Sequence, residues 1–264
     1  MSNPTVHELF DLSGRVAMIS GASGWLGSAM AAALAEAGAS VVVASRDAAS
    51  GKAAAEALCT AKGNPHCSVV LDQLDEDSIA SGFAEAVALA GKVDILINNG
   101  HAADGHDLSD VTGEQFNRVL SNSTGWFLLS RCLRDHLVER KASGNIVMIG
   151  SMYGQVASYP DTYEDICAAS PVAYHALKGG IIQMTRHLAV YWAKDHVRVN
   201  CLSPGPFPGE GVPDELKERL GKKSPMGRMG EPHELKGALL LLASDAGSYI
   251  TGQNLTVDGG WTAW

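Results

Sequence analysis

Short apolar runs alternate along this chain with longer stretches in which apolar residues recur at helical spacing. The apolar runs predict strands, at 15–20, 40–45, 66–72, 92–98, 144–151, 196–203 and 253–260. The stretches between them predict helices, at 28–38, 48–62, 75–91, 112–140, 174–192, 212–222 and 231–243. Apolar strands that alternate with helices are typical of a parallel sheet with helices on both faces and right-handed crossovers. We therefore predict an α/β fold, a single domain over residues 1–264 with a doubly wound parallel sheet of about seven strands.

A glycine-rich turn, GASGWLG at residues 21–27, follows the first predicted strand and precedes an alanine-rich helix. Gly21 permits the tight turn off the strand, Gly24 lets the backbone approach a pyrophosphate, and Gly27 lets the helix pack on the sheet. The N-terminus of that helix presents unpaired N–H groups to the phosphates. An ordinary glycine turn is the alternative, but the strand–turn–helix–strand context favours a dinucleotide site of the Rossmann type. The residues predicted to contact the nucleotide here are Gly21, Ser23, Gly24, Trp25, Leu26 and Gly27.

The end of the second predicted strand carries Ser45, Arg46 and Asp47, where an acidic residue usually holds a ribose hydroxyl. A small residue followed by a guanidinium suits a ribose 2′-phosphate better, which favours NADP(H) over NAD(H). Asp47 can still serve NAD if the strand ends one or two residues later. Both cofactors therefore stay open, with NADP(H) favoured.

Other polar residues lie at strand ends or interrupt an apolar helix. Asp72 ends the third strand, where it either meets the adenine edge or caps the following helix. After the fourth strand, the amide of Asn99 can tie neighbouring loops together, and Gly100 can pass close to a cofactor ring. Ser151 ends the fifth strand. Asn122 lies within the core-facing helix 112–140, where it either bends the helix and presents its carbonyl to a water or is a satisfied buried amide.

Tyr174 and Lys178 are four residues apart at the start of the helix predicted for 174–192. This spacing places the two side chains about 40° apart in azimuth and about 6 Å apart along the axis, so they share one face. An ammonium beside a phenol favours the phenolate and lowers the tyrosine pKa from about 10 towards about 7. A general acid/base with such a pKa exchanges protons at neutral pH. A chance pair is the alternative, although no other tyrosine in the chain has a lysine four residues later.

Composition and charge narrow the class of protein. The chain has 20 Lys and Arg against 29 Asp and Glu, and its net charge of −9 argues against nucleic acid or an anionic membrane as the main partner. No apolar run approaches the roughly 20 residues of a membrane span, and the N-terminus lacks a signal-peptide core. Five cysteines without a CxxC pair predict reduced thiols and a cytoplasmic location. His101 and His106 have no carboxylate or cysteine cluster beside them, so we predict no metal site.

Taken in order, these motifs resemble the short-chain dehydrogenase/reductase family over residues 10–264. The resemblance implies a catalytic tetrad. Tyr174 would be the acid/base, Lys178 would bind the nicotinamide ribose and lower the tyrosine pKa, and Ser151 would hydrogen-bond the substrate oxygen. The carbonyl of Asn122 would hold a water in a proton relay. The resemblance also implies hydride transfer at the nicotinamide C4 and, usually, a homotetramer. The matching positions are Ser20 to Gly27, Asp72, Asn98 to Gly100, Asn122, Ser151, Tyr174, Lys178 and Asn200 to Gly205.

The chain departs from the family pattern at three places. Trp25 replaces the second glycine of the compact members, so the glycines read GxxGxxG as in longer, epimerase-type members. His101 replaces the last glycine of the NNAG pattern, where it either contacts substrate or caps a loop. The segment 152–171 makes the separation of Ser151 and Tyr174 longer than is typical. Its aromatic and acidic residues suit a polyol or sugar-like ligand; a loop at the mouth of the site or a subunit contact is the alternative.

We therefore expect an NADP(H)-preferring oxidoreductase that interconverts a secondary alcohol and a ketone by hydride transfer, on a polyol, sugar or sugar-acid substrate. We expect a homotetramer or homodimer. The alternatives are an epimerase or dehydratase with transient hydride transfer, and a nucleotide-binding regulatory protein without chemistry. Beyond the glycine turn, the expected cofactor contacts are Ser45, Arg46, Asp72, Asn99, Gly100, Tyr174, Lys178, Pro204 and Gly205. The expected substrate contacts are Ser151, Tyr174, His101 and Tyr153.

The C-terminal tail carries two tryptophans, Trp261 and Trp264. Two tryptophans left in water form an exposed apolar patch, and such patches usually mark an interface. We therefore predict that the tail packs at a subunit contact near a site.

Overall fold

A parallel sheet of seven strands organises the part of the chain that the computed structural model describes, residues 3–264. The strands are β1 (Val16–Ser20), β2 (Ser40–Ser45), β3 (His66–Val70), β4 (Ile95–Asn98), β5 (Gly144–Ile149), β6 (Val197–Pro204) and β7 (Asn254–Val257). Their order is β3-β2-β1-β4-β5-β6-β7, and all neighbours are parallel. The direction of winding reverses between β1 and β4, which opens a crevice at their carboxyl ends. The predicted doubly wound sheet is confirmed.

Nine α-helices flank the sheet within residues 3–264. They are α1 (Val6–Phe10), α2 (Trp25–Glu36), α3 (Ala48–Glu56), α4 (Glu76–Ala90), α5 (Gly113–Arg140), α6 (Pro160–Tyr163), α7 (Val172–Trp192), α8 (Asp214–Lys223) and α9 (Lys236–Ala243). All five residues of β1 are buried, which requires cover on both faces. Helix α2 packs beside α9, while α5 packs beside both α4 and α7. In the described chain, no helix is both long enough and apolar enough to cross a membrane.

Helix α3 ends at Glu56, earlier than the predicted end at 62, because the following residues turn back onto the end of α2. The Lys62 ammonium lies 2.8 Å from the Asp11 carboxylate. The Asn64 side-chain amide donates to the carbonyl oxygen of Ala35, near the end of α2, at 3.0 Å and to that of Ala39, just after it, at 2.8 Å. These bonds tie the residues that follow α3 to the end of α2. Tertiary contacts, rather than helix propensity, therefore decide where α3 ends.

Helix α1 is a short helix that the apolar pattern does not predict. The Thr5 hydroxyl accepts from the backbone N–H of Glu8 at 3.3 Å, and the Glu8 carboxylate accepts from the backbone N–H of Thr5 at 2.6 Å. This reciprocal pair is a capping box. The T-x-x-E spacing at residues 5–8 was the signal that could have located the helix.

The segment 152–171 is a compact loop that contains two short helical turns. Met152–Gly154 forms a 3₁₀ turn, and α6 follows it. Two bonds fasten α6 and its end to α8. The Lys223 ammonium lies 2.7 Å from the Asp161 carboxylate, and the Arg219 guanidinium donates to the Glu164 carbonyl oxygen at 2.9 Å. The segment is therefore held against α8 instead of extending into solvent.

A second, smaller hydrophobic core lies apart from the core of the sheet. It joins the segment 152–171, α8 and the C-terminal tail, and its buried members are Met152, Tyr153, Leu216, Leu220 and Trp261. Trp261 is only 1% exposed and contacts the Tyr159 ring edge-on, with 5.4 Å between ring centroids. Trp261 therefore packs within its own chain, and the predicted subunit contact of the tail stays a prediction. Trp264 is 70% exposed.

We expect Trp261→Ala to lower the free energy of unfolding by about 3–5 kcal/mol, because it leaves a large cavity in the second core. Trp264→Ala is the matched control, and its effect should stay within about 0.5 kcal/mol because the side chain is exposed. Urea unfolding followed by circular dichroism measures both variants. An equal loss in the two variants, or no loss in Trp261→Ala, would contradict the packing described above.

Candidate active site

Two adjoining cavities lie at the carboxyl ends of the strands. The first, which we call the glycine cleft, has a volume of about 520 Å³. The second, which we call the tyrosine cavity, has a volume of about 440 Å³. The side chain of His101 lines both, so the two cavities meet beside it. The glycine cleft is lined by Ser20, Gly21, Ser23, Ala44, Ser45, Arg46, Asp47, Ser50, Leu71, Asp72, Gln73, Gly100, His101 and Ala102.

Gly21 and Gly27 allow the turn after β1 to wrap tightly under the cleft. Gly21 has φ +68°, and a Cβ placed on it would lie 2.8 Å from the Cα of Gly100. A Cβ on Gly27 would collide with the carbonyl oxygen of Gly21, so α2 packs on this turn only with glycine there. Gly24 is the N-cap of α2 and has no side chain to cap the helix, so the first N–H groups of α2 remain for ligand phosphates. The turn therefore fits the diphosphate of a dinucleotide.

The remaining residues of the glycine turn lie in two environments. Ser23 is exposed and lines the cleft. Trp25 and Leu26 form the first turn of α2 and do not line the cleft. Trp25 is 44% exposed and does not close the cleft.

Arg46 and Asp47 follow the end of β2 at the rim of the cleft, and their side chains have different surroundings. Within residues 3–264 the Arg46 guanidinium has no carboxylate partner at ion-pair distance. The Asp47 carboxylate caps α3, accepting from the Ser50 hydroxyl at 2.6 Å and the Ser50 N–H at 2.7 Å. These two bonds hold the pKa of Asp47 below its usual range. The guanidinium is thus free for a phosphate, while the carboxylate is already engaged.

Asp72 follows β3 and lines the cleft beside Ser45. Its carboxylate accepts from the Leu74 N–H at 3.0 Å, while Asp75 caps α4. The alternative in which Asp72 caps the following helix is therefore wrong. Its place in the cleft leaves the carboxylate able to reach a nucleotide base.

Asn99 ties the loop after β4 to the turn after β1. Its side-chain amide donates to the carbonyl oxygens of Ser20 at 3.1 Å and Gly21 at 3.0 Å. The Ser20 hydroxyl in turn accepts from the backbone N–H groups of Asn99 and Gly100, at 3.0 and 2.8 Å. Asn99 therefore supports the cleft from behind, while Gly100 lines it.

Tyr174 from α7 and Ser151 from the end of β5 meet in the tyrosine cavity. Both side chains line it. Burial raises the pKa of Tyr174 above its ordinary value, and the nearby Ser151 hydroxyl offsets only part of that rise. The expectation of a tyrosine pKa near neutrality is therefore wrong for this structure. Tyr174 is a neutral phenol that holds its proton at neutral pH.

The Lys178 ammonium is buried behind Tyr174 and is bound to the main chain. Its Nζ donates to the Ile149 carbonyl oxygen at 2.6 Å. It lies 5.4 Å from the centre of the Tyr174 ring and 4.9 Å from the centre of the Trp126 ring. Burial lowers the pKa of Lys178 to about 8. Because the ammonium sits over the face of the tyrosine ring and is bonded to a carbonyl group, it does not offset the burial of the phenol.

Asn122 is fully buried in α5, and its side-chain amide is completely hydrogen-bonded. Its Oδ1 accepts from the Gln73 side-chain amide and from the Ala102 N–H at 2.8 Å. Its Nδ2 donates to the carbonyl oxygens of Ala102 at 3.0 Å and Val119 at 2.8 Å. Asn122 is thus the satisfied buried amide that the sequence left as one alternative. The main-chain carbonyl is the part of Asn122 that remains for the water implied by the family resemblance.

Gln73 and Trp126 are neighbours of the site that the sequence analysis missed. The Trp126 indole donates to the Gly100 carbonyl oxygen at 2.9 Å and to Gln73 Oε1 at 3.3 Å. With the bond from Gln73 to Asn122, these contacts fix the loop after β4 against α5. The sequence signal that could have identified Gln73 was its position directly after Asp72, at a buried strand end.

His101 forms part of the wall between the two cavities. Its ring meets the Tyr174 ring edge-on, with 5.4 Å between centroids. Burial, and then the charge of Lys178, lower the pKa of His101 to about 4, so the imidazole is neutral at physiological pH. Its Nε2 is buried and has no hydrogen-bond partner among residues 3–264. That nitrogen therefore caps no loop, in contrast to one of the two roles considered for it.

The rest of the tyrosine cavity is mostly apolar. Its apolar lining consists of Ala103, Val119, Met152, Pro171, Pro206, Phe207, Pro208, Val212, Leu216, Leu220 and Met229. The predicted contacts Tyr153 and Gly205 also line it, whereas Pro204 belongs to the end of β6 and does not. An apolar cavity with a few convergent polar groups is typical of a small-molecule site.

Comparisons with known proteins agree with this arrangement. A family model described as Enoyl-(Acyl carrier protein) reductase matches residues 21–262. A galactitol 2-dehydrogenase (L-tagatose-forming) from Cereibacter sphaeroides is 37% identical over 262 residues, covering 97% of this chain and 98% of that protein.

Two solved structures are also similar. A gluconate 5-dehydrogenase from Burkholderia cenocepacia in complex with NADP and tartrate has a TM-score of 0.88 at 28% identity, covering 98% of this chain and 100% of that one. A short-chain dehydrogenase from Leptospira borgpetersenii with bound NAD+ has a TM-score of 0.85 at 30% identity, covering 99% and 97%.

The chain therefore belongs to the short-chain dehydrogenase/reductase family, as its motifs indicate. It is an NAD(P)-dependent enzyme that interconverts an alcohol and a ketone, which excludes a regulatory protein without chemistry. One similar structure holds NADP and another holds NAD+, so the preference between the two must come from residues of this chain.

We expect Lys178→Met to raise the free energy of unfolding by about 1–4 kcal/mol below pH 8, because it removes a buried charge. The pKa of Lys178 falls from 10.5 to about 8 on folding. Between these values the unfolded chain holds the proton and the folded chain does not, so wild-type stability rises with pH. The advantage of the variant should therefore shrink across that window.

Urea unfolding at pH 6.5, 8 and 10 measures this difference, with Lys194→Met, at an exposed lysine, as the control. A stabilisation that does not depend on pH, or a loss of stability at pH 6.5, would show that the Ile149 bond outweighs the cost of burial.

Proposed function

We propose that this enzyme prefers NADP(H) and interconverts a secondary alcohol and a ketone of a polyol, sugar or sugar acid. One observation is the main support for the proposed interconversion of alcohol and ketone. Tyr174 and Ser151 line the same apolar cavity, which adjoins the glycine cleft. A substrate oxygen between these hydroxyl groups therefore lies next to the place where a nicotinamide would lie.

The chain supplies the proton chemistry of the reaction. When bound, the nicotinamide cofactor supplies the hydride for reduction or accepts it in oxidation. In reduction, Tyr174 gives its hydroxyl proton to the substrate oxygen, and the Ser151 hydroxyl donates a hydrogen bond to the same oxygen. In oxidation, Tyr174 takes the proton from the substrate hydroxyl. The raised pKa of Tyr174 suits the reducing direction, because the phenol holds the proton that the product oxygen needs.

Lys178 and Asn122 support Tyr174 from behind. The Lys178 ammonium is bonded to the Ile149 carbonyl oxygen, which holds α7 against the end of β5 and so positions Tyr174 beside Ser151. With a pKa of about 8, Lys178 is also a proton donor for restoring the phenol near neutral pH. Asn122 fixes the loop after β4 through Ala102, and its main-chain carbonyl is the group proposed to hold a relay water.

The cofactor preference is inferred from the rim of the glycine cleft. The exposed guanidinium of Arg46 is placed to pair with a ribose 2′-phosphate, and Asp47 is engaged in capping α3. The gluconate 5-dehydrogenase complex with NADP supports this choice by similarity. We propose the same further nucleotide contacts that the sequence predicts, and of these Gly21, Ser23, Ser45, Asp72 and Gly100 line the glycine cleft.

The substrate class is inferred from the polar groups of the tyrosine cavity and from the relatives. The cavity of about 440 Å³ is large enough for a six-carbon polyol and contains several hydroxyl and imidazole groups in an apolar wall. Galactitol 2-dehydrogenase and gluconate 5-dehydrogenase carry polyol and sugar-acid substrates in their names. The segment 152–171 is proposed as the part of the single domain that faces the substrate.

We also infer a cytoplasmic homo-oligomer, a dimer or a tetramer. All five cysteines are free, in keeping with a reducing compartment. Val190 and Tyr191 on α7 are 75% and 60% exposed, which leaves an apolar surface suited to a second copy of the chain.

Tyr174→Phe should lower kcat by at least about 10²- to 10⁴-fold, because it removes the acid/base hydroxyl. Calorimetry should find the affinity for NADPH close to wild type. Tyr249→Phe, at a fully exposed tyrosine, is the matched control. Turnover that survives in Tyr174→Phe would show that another group moves the proton.

Arg46→Ala should weaken NADP binding about 10- to 100-fold and leave NAD binding unchanged, because it removes a charge-assisted bond to the 2′-phosphate. Calorimetry in one buffer measures both cofactors. Lys52→Ala, which removes an exposed charge from α3 outside the cleft, should change neither affinity. Tight NAD binding by the wild type, or an equal loss for both cofactors, would overturn the assignment of Arg46.

A further inference from the structure

The two tyrosines Tyr153 and Tyr163 form a hydroxyl pair in the wall of the tyrosine cavity. Their hydroxyl oxygens are 2.5 Å apart, and both residues line the cavity. Tyr153 follows Ser151 by two residues, and its backbone N–H donates to the Ser151 hydroxyl at 3.1 Å. The pair therefore begins on the same short turn that carries the catalytic serine.

The pair has an unused hydrogen-bonding capacity. Two hydroxyl groups carry two hydrogens, and their mutual bond uses one of them. Among residues 3–264, neither hydroxyl has another side-chain or main-chain partner. Burial raises the pKa of both tyrosines, so neither loses its proton at physiological pH. One O–H group and the free lone pairs therefore remain for a polar group in the cavity.

The pair is held in place before a ligand arrives. The Tyr153 ring stacks on the His175 ring of α7, with 4.7 Å between centroids. Tyr163 ends α6, which the Lys223 ammonium fastens to α8 through the Asp161 carboxylate at 2.7 Å. Groups that are positioned in advance bind with a smaller loss of conformational entropy.

The surroundings of the pair select for a ligand oxygen. Its neighbours in the cavity wall include Val212, Leu216 and Leu220, which offer no hydrogen bond. A hydroxyl group that stays unpaired in apolar surroundings is unfavourable, so a substrate that pairs with it is preferred over one that cannot.

We propose that the Tyr153–Tyr163 pair binds a second hydroxyl group of the substrate, away from the reacting carbon, and so selects polyols over simple alcohols. This rests on the proposed function, in which Tyr174 and Ser151 hold the reacting oxygen. Tyr153 and Tyr163 do not exchange protons with the reacting atoms. They determine specificity and position the chain of the substrate.

The test compares substrates of equal carbon chain length with and without the additional hydroxyl groups. Oxidation of galactitol, mannitol and 2-hexanol is measured with NADP, as kcat/KM, for the wild type and for Tyr163→Phe. We expect Tyr163→Phe to lower kcat/KM for the preferred hexitol about 5- to 50-fold, and that for 2-hexanol by less than about 2-fold. Tyr159→Phe removes a hydroxyl from the same segment outside the cavity and is the matched control.

A second variant and a binding measurement keep the outcome clear if one substitution disturbs folding. Tyr153→Phe should give the same change in selectivity, and the double variant should lose no more than the worse single variant, because the two hydroxyl groups act as a unit. The affinity for NADPH and the thermal midpoint should stay close to those of the wild type.

Three results would overturn the proposal. Equal losses for the hexitol and 2-hexanol, with a lower thermal midpoint, would mean that the pair only holds the segment 152–171 in place. Unchanged selectivity in both variants would mean that no substrate oxygen contacts the pair. A wild type that oxidises 2-hexanol but neither hexitol would refute the polyol substrate class together with this pair, while the alcohol dehydrogenase activity would stand.

Discussion

The buried ammonium of Lys178 is the contact on which the geometry of the site depends. It is bonded to the carbonyl oxygen of Ile149, the last residue of β5, and it lies on the same helix as Tyr174. The turn after β5 approaches that helix so closely that a Cβ on Gly154 would lie 2.7 Å from the Lys178 carbonyl oxygen. The ammonium thereby joins β5 to α7 where Ser151 meets Tyr174. A buried charge destabilises a fold, so stability does not explain the Lys178 ammonium. Its role is to position Tyr174 beside Ser151.

The parts of this protein that could be predicted from its sequence depend on short-range patterns. Apolar runs are readable as strands, and alternation with helices limits the possible sheets to a parallel, doubly wound one. The spacing of Tyr174 and Lys178 places them on one face by helix geometry alone. The environment of each group was not predictable. Whether the ammonium bonds the phenol or the Ile149 carbonyl, and how deeply the phenol is buried, depends on how α7 packs against β5.

Long-range contacts also explain the other differences between the sequence-based predictions and the structure. The tail has no periodic pattern, so its sequence alone could not show that Trp261 is enclosed by the second core. The end of α3 depends on Asn64 reaching α2, and the saturated amide of Asn122 depends on Gln73 and Ala102. In each case the deciding partner lies far away in the chain. Residue type at a strand end, as for Ser151 and Asp72, predicted the location of the site but not its hydrogen bonds.

The second core has a consequence for how substrate range can change in this protein. The segment 152–171 and α8 line the tyrosine cavity, and Trp261 packs against them in the second core. Exchanging that segment alone with one from a related chain would transfer its tyrosines without the surfaces that support them. A change of substrate specificity therefore requires the segment 152–171, α8 and the C-terminal tail to be exchanged together, because only then is the second core preserved.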